Sequence, residues 1–219
     1  MKAKMITISS PKVGKKEINL VTEVLKSGQL VQGPKVKLLE EEFIKLTNAK
    51  YAVATNNGTS ALHSALYAVG ITAGDEIITT PFTFIATANS ILMQGGVPVF
   101  ADIDEKTFNI DPKSIEQLIN KKTKAILVVN LYGQSADYNE INRIARKHNL
   151  IVIEDAAQSV SAKFGDKTSG NLADLACFSL YATKNLMCVE GGMVTTNNKE
   201  YYEKVKLFRH HGQSETKRY

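Results

Sequence analysis

The 219-residue sequence has only two cysteines, Cys177 and Cys188. They have no partners at metal-ligand spacing, so neither a disulfide scaffold nor a zinc site follows. Their pattern is that of reduced thiols in an intracellular protein. No apolar run approaches the ~20 residues of a membrane span, and the N-terminus lacks a signal-peptide core, so cytoplasm is the expected location. There is no linker or low-complexity stretch. With 43% hydrophobic composition, the chain can form one sizeable α/β domain with a core of its own.

Strong charge is missing as well. Against 27 Lys and Arg stand 22 Asp and Glu, a net +5, with clusters only at Lys2/Lys4, Lys12/Lys15/Lys16 and in the last twenty residues. Nucleic-acid binding would call for a basic stripe interleaved with aromatics, or a basic helix-turn-helix, and neither is found. A mild basic balance suits small anionic substrates. No Walker A loop or dinucleotide fingerprint is present. Gly165-Asp166-Lys167-Thr168 imitates the end of a Walker A loop without its preceding glycine and spacing. His210-His211 is a poor metal site, because adjacent helical positions do not face one ion and no carboxylate or cysteine completes a shell.

What is present is a regular alternation of strands and helices. Helical spacing marks 13–26, 35–47, 61–69, a segment from Phe84 through Leu92, 138–148 and 199–209, with a further helix starting at Asp111-Pro112. Strand patterns mark 51–55, 76–80, 97–103, 124–130, 150–155, 175–180 and 193–196. This order predicts a mainly parallel sheet covered by helices on both faces.

Two residues stand at strand ends where an open α/β sheet binds ligands. The apolar run 150–153 stops at Glu154-Asp155, which puts a carboxylate at a carboxyl end. Lys184 follows the buried strand 175–180 and precedes Gly191-Gly192. Taken alone it reads as a solvated surface lysine. Fixed beside buried strands, its amine would lose hydration and could attack a carbonyl. An ionised Asp155 can pair with a protonated pyridine nitrogen, and the two residues together suggest pyridoxal phosphate. The turn 56–60 offers a third feature. Gly58, Thr59 and Ser60 at a helix start can bind an anion, or Thr or Ser can simply cap the helix.

These residues carry a resemblance. Ile153-Glu154-Asp155-Ala156-Ala157-Gln158, then Cys177-Phe178-Ser179-Leu180-Tyr181-Ala182-Thr183-Lys184-Asn185, then Glu190-Gly191-Gly192-Met193-Val194 closely resemble the DegT-type nucleotide-sugar aminotransferases. The resemblance runs from about Pro11 to the end, with the motifs in the family's order. It implies the large domain of the aspartate-aminotransferase fold over 1–219, the helical segment 11–48 included, with the family's small C-terminal domain absent. It also implies Lys184 as the lysine that holds pyridoxal phosphate and shuttles the proton, and Asp155 as the partner of the ring nitrogen. Gly58, Thr59, Ser60 and Ser179 would hold the phosphate, and Gln158 the phenolic oxygen. Phe84 would stack on the ring, against a plain reading as core packing. The implied reaction moves an amino group from glutamate to a nucleotide-linked keto-deoxysugar in a homodimer, without metal.

The alternatives are a related sugar dehydratase, against which Lys184 argues, and a cofactor-binding domain that needs a C-terminal partner for catalysis. One departure concerns the lysine loop, where Met187-Cys188-Val189 replaces the family's small residues and glycine. A β-branched valine resists the positive φ that glycine accepts, which predicts a differently shaped loop.

Overall fold

A computed structural model describes residues 7 and 9–213. Lys2, Lys4 and the basic residues beyond 213 lie outside them. The chain begins with helices α1 (Lys15–Ser27) and α2 (Pro34–Thr47), then β1 (Tyr51–Thr55), α3 (Gly58–Ala68), β2 (Glu76–Thr79) and α4 (Ala86–Met93). It continues through β3 (Val97–Phe100), α5 (Pro112–Leu118), β4 (Thr123–Val129), α6 (Tyr138–His148) and β5 (Ile151–Asp155). A short hairpin, β6 (Lys163–Phe164) and β7 (Lys167–Thr168), precedes β8 (Leu175–Ser179), β9 (Gly192–Thr196) and α7 (Lys199–Arg209).

Seven strands form one sheet in the order β1-β9-β8-β5-β4-β2-β3. The β2–β3, β2–β4, β4–β5 and β5–β8 pairs are parallel, while β9 runs antiparallel to both β8 and β1. With one strand reversed, the carboxyl ends of the other six share an edge with the start of β9. Every loop that carries a candidate site residue therefore opens at that edge.

Apolar runs rather than alternation mark the inner strands because both faces are covered. Leu127 and Ile153 meet Leu62 and Leu66 of α3 and Ile91 of α4 on one face. On the other, Ile126, Val128 and Val152 meet Ile115 of α5 and Ile141 and Ile144 of α6. Phe43 of α2 packs edge-on against Phe178 with ring centroids 5.3 Å apart. The amphipathic pattern of α1 is not matched by burial, since none of its residues is buried.

Two local features depart from the sequence expectation, and a third segment, for which no element was expected, forms a hairpin. Strand β3 stops at Phe100 instead of reaching Ile103, because the Asp102 N–H is taken by Ser114 Oγ at 2.8 Å and the Asp104 carboxylate folds onto Thr107 N–H at 2.8 Å. Side-chain acceptors thus replace the ladder. The segment resembling a Walker A end is the turn of the β6–β7 hairpin, with Gly165 at φ 58°. Helix α3 begins at Gly58 rather than Ala61, and its cap is Asn57, whose Oδ1 accepts from Ser60 N–H at 2.8 Å.

Glu154 ties the layers together. Its side chain is fully buried and accepts from Asn130 Nδ2 at 2.8 Å, from Ser169 Oγ and from Gly170 N–H at 3.0 Å. Gly170 sits at φ 101°, and a Cβ there would lie 2.5 Å from Thr47 Cγ2, so only glycine brings this N–H to the carboxylate. Burial, opposed by these donors and by Leu172 N–H, pushes the Glu154 carboxyl up to about 7 from 4.5. The folded state therefore takes up a proton at higher pH than the unfolded chain. Glu154's contribution to stability is present below pH 4.5 and is lost as pH rises through about 7. Chemical denaturation at pH 5 and pH 8 should show the wild type losing about 2 kcal/mol relative to Glu154→Gln between the two conditions. An offset independent of pH would rule this out.

Candidate active site

At the shared edge lies a cavity of about 420 Å³ whose wall includes Gly58, Thr59, Phe84, Asp155, Gln158, Ser179 and Lys184. These seven come from four places along that edge, at or after the ends of β1, β2, β5 and β8. Ser60 is not on the wall, and its N–H is committed to Asn57.

Asp155 is the last residue of β5 and is 5% exposed. Its Oδ1 accepts from Ala157 N–H at 3.2 Å, and its Oδ2 from the Thr87 hydroxyl at 2.8 Å. Burial pushes its carboxyl above the ordinary range, while Thr87, Ala157 N–H and the Lys184 charge pull the other way.

The first turn of α3 supplies backbone donors. Thr55 Oγ1 donates to the Asn57 carbonyl at 3.0 Å, and the Asn57 side chain satisfies Ser60, which leaves the N–H groups of Gly58 and Thr59 facing the cavity end of the helix. Gly58 is required by close packing, because a Cβ there would lie 2.8 Å from Ser179 Cβ. The same approach brings the Ser179 hydroxyl, on β8, to the helix start. Backbone donors at a helix N-terminus with two hydroxyls beside them make an anion seat.

Gln158 Oε1 accepts from Tyr132 N–H at 2.7 Å, an assignment that turns its NH₂ group away from that bond. Tyr132 is held at φ 53°. Phe84, for which stacking and core packing both stood open, is 68% exposed and so is not a core residue. Asn130 lies behind the site, bonded to Glu154 and to Ala136 N–H.

Lys184 is half-buried on the loop between β8 and β9. The base of that loop is closed by Leu180 N–H to Gly191 O at 2.8 Å and Cys188 N–H to Leu180 O at 2.9 Å, and Lys184 N–H itself bonds Tyr181 O at 2.9 Å. The expectation that Val189 would avoid a left-handed backbone fails, because the structure holds it at φ 72°. At 64% exposure, the side chain has little burial to offset that strain.

Sequence reasoning missed Thr83, Thr87 and Asn57. Thr83 Oγ1 lies 2.8 Å from Thr87 Oγ1, forming a hydroxyl pair that ends on Asp155. The i, i+4 threonines after Pro81 were visible, but their carboxylate partner is 68 residues away in the chain. Asn57 was legible as a preferred cap, though Thr and Ser beside it competed for the role.

The model of the DegT/DnrJ/EryC1/StrS aminotransferase family matches residues 11–219. The chain belongs to that family. Among relatives of the DegT/DnrJ/EryC1/StrS chain, the spore coat polysaccharide biosynthesis protein SpsC of Bacillus subtilis is 48% identical over 94% of this chain and 53% of its own length. GDP-perosamine synthase of Caulobacter vibrioides is 42% identical over 98% of this chain and 58% of its own. The PLP-form structure of Spr1654 from Streptococcus pneumoniae superposes with a TM-score of 0.91 at 30% identity, covering 95% of this chain and 59% of that one. The mainly parallel sheet is thus the type I fold of the family's solved aminotransferases. The chain spans about half the length of the curated relatives it matches. No helix among the described residues is long and apolar enough to cross a membrane.

Replacing Val189 by glycine should relieve a left-handed valine that costs ~1–2 kcal/mol, offset by glycine's larger backbone entropy of ~0.5–1 kcal/mol. Val189→Gly is therefore expected to gain about 0.5 kcal/mol in denaturant titration, and Val189→Ala less. A loss of stability in the glycine variant would mean that Val189 makes a compensating contact.

Proposed function

We propose that this chain is the cofactor-binding unit of a sugar aminotransferase, which holds pyridoxal phosphate on Lys184. The reaction transfers an amino group from an amino acid, glutamate, to a keto-deoxysugar linked to a nucleotide. The observation that carries the reading is that a lysine, a buried carboxylate and a helix-start anion seat, from separate elements, open into one cavity of about 420 Å³.

The residues present fit the group. Gly58 lets the helix start pack directly on Ser179, since a Cβ there would lie 2.8 Å from Ser179 Cβ, and the donor set gathered in this way suits a phosphate: the N–H groups of Gly58 and Thr59 with the hydroxyls of Thr59 and Ser179. The Ser60 hydroxyl belongs to the same proposal, although its N–H is committed to Asn57. Asp155 would face the ring nitrogen. A cation there would draw its carboxyl back toward the charged form against the effect of burial. The exposed face of Phe84 would stack on the ring, and the free NH₂ of Gln158 would donate to the phenolic oxygen.

When bound, pyridoxal phosphate supplies an aldehyde that condenses with amines and a ring that accepts electron density. Lys184 Nζ would be the amine that anchors it and, once free, the base that takes the proton from the donor's α-carbon. Asp155 would hold the ring nitrogen's proton in place. The names of the relatives support sugar chemistry, with a GDP-sugar product in one case. The domain proposed is 1–219 with its helical segment 11–48, working as a homodimer.

Incubation with pyridoxal phosphate, borohydride reduction and peptide mass mapping test the reading. A single adduct on Lys184 is expected, lost in Lys184→Ala. Asp155→Ala should weaken retention of the cofactor about 10- to 100-fold, the scale of one charge-assisted hydrogen bond. An adduct spread over other lysines, or none, would overturn the assignment.

A further inference from the structure

Beside Asp155, on the same cavity wall, lies a polar pair that the reading above does not use. Thr87 is in the first turn of α4, 1% exposed, and its hydroxyl meets Asp155 Oδ2 at 2.8 Å. Thr83 stands one turn earlier, half-buried on the cavity wall, with its hydroxyl 2.8 Å from that of Thr87. We propose that Thr87, backed by Thr83, is a positioning residue that holds the Asp155 carboxylate in one orientation and in its acceptor form, ready for a cationic ring nitrogen. This inference rests on the pyridoxal-phosphate reading.

Proton counting fixes the direction of the chain. An ionised carboxylate only accepts, and each threonine has one hydroxyl proton. Thr87 must give its proton to Asp155 Oδ2, so Thr83 must give its own to Thr87. The chain is polarised toward the carboxylate, and each bond strengthens the next. With Ala157 N–H on Oδ1 and Thr87 on Oδ2, both carboxylate oxygens are held from different elements. Without Thr87, the terminal torsion of the aspartate would be broad and roughly two-fold.

The surroundings leave Thr87 little help. Helix α4 and the turn before it, 81–85, contain no charged residue. The titratable groups around Asp155 are its chain neighbour Glu154, Cys177 on β8, Tyr138 on α6 and Lys184 on the β8–β9 loop, with Tyr181 and Glu190 of that loop on the same cavity wall. Of these, only Lys184 favours the carboxylate's charged form. Lys184 is also the group committed to the cofactor's other end. The Thr87 hydroxyl is the side-chain donor that remains.

The test compares Thr87→Val, which keeps the shape and removes the hydroxyl, with Thr87→Ser, which keeps the hydroxyl and removes a methyl. Thr83→Val probes the second link. Each is loaded with pyridoxal phosphate, mapped for the Lys184 adduct, and titrated with pH by the absorbance of the Lys184-linked cofactor. Thr87→Val should form the adduct but bind the cofactor about tenfold more weakly. Its absorbance midpoint should move to higher pH by about half a pH unit or more, because a less firmly held ring proton withdraws less electron density from the linked nitrogen. Thr87→Ser should stay within about twofold of wild type, and Thr83→Val should shift the same way by less. A wild type without the Lys184 adduct would overturn the cofactor reading, and this inference with it. A wild-type adduct with an unmoved midpoint in Thr87→Val would overturn this inference alone. Equal shifts in the valine and serine variants would also overturn it, since that pattern marks packing rather than the hydroxyl. Should Thr87→Val fail to fold, an unmoved midpoint in Thr83→Val decides against the relay.

Discussion

Two neighbouring carboxylates, buried back to back at the end of β5, are the constraint around which this domain is built. Strand geometry sends Glu154 and Asp155 to opposite faces of the sheet, and each must find donors or remain an uncompensated buried acid. Glu154 finds them in structural loops, namely Asn130 after β4 and Ser169 and Gly170 after the hairpin. Asp155 finds them at the cavity, in Thr87 and Ala157 N–H. One carboxylate thus anchors the scaffold and the other is left facing the site. Their separation by a single peptide unit makes the position of the second depend on the satisfaction of the first.

The reversed strand β9 explains how a lysine far along the chain meets this carboxylate. It enters the sheet between β8 and β1 at the edge where the other strands end, so the β8–β9 loop must fold over that edge. Gly192 makes the entry possible, because a Cβ there would collide with the carbonyl of Asn57. Asn57 is also the cap of α3. The anion seat and the lysine loop are therefore packed against one another through two glycines, Gly58 on Ser179 and Gly192 on Asn57.

The extent to which this was legible follows from the range of each interaction. Asp155 and Lys184 could be read because each sits at the end of a short apolar run, a local signal that parallel sheets make strong. The sheet itself was legible for the same reason. The Thr87–Asp155 bond was not, since it joins α4 to β5 across the topology and threonines in a helix start read as caps. Phe84 had two meanings until its exposure excluded the core. The end of β3 depended on side-chain acceptors at Asp102 and Asp104 competing with a ladder, a contest that hydrophobic pattern does not record. Val189 shows the opposite failure. Its propensity was read correctly, but the closure of the loop at Leu180, Cys188 and Gly191 overrides it.

That override bears on how the site can work. The carboxylate and the anion seat belong to a strand end and a helix start that are hydrogen-bonded and buried on several sides. The lysine belongs to a loop pinned at its base and exposed beyond it, where Asn185, Leu186 and Val189 face solvent. Under the proposed function, Lys184 has to move to attach to a cofactor, release it and carry a proton, whereas the groups that would orient the ring and phosphate must not. The fold is arranged in keeping with that division: the carboxylate and the helix start belong to the sheet and α3, and Lys184 to the loop between the antiparallel strands β8 and β9.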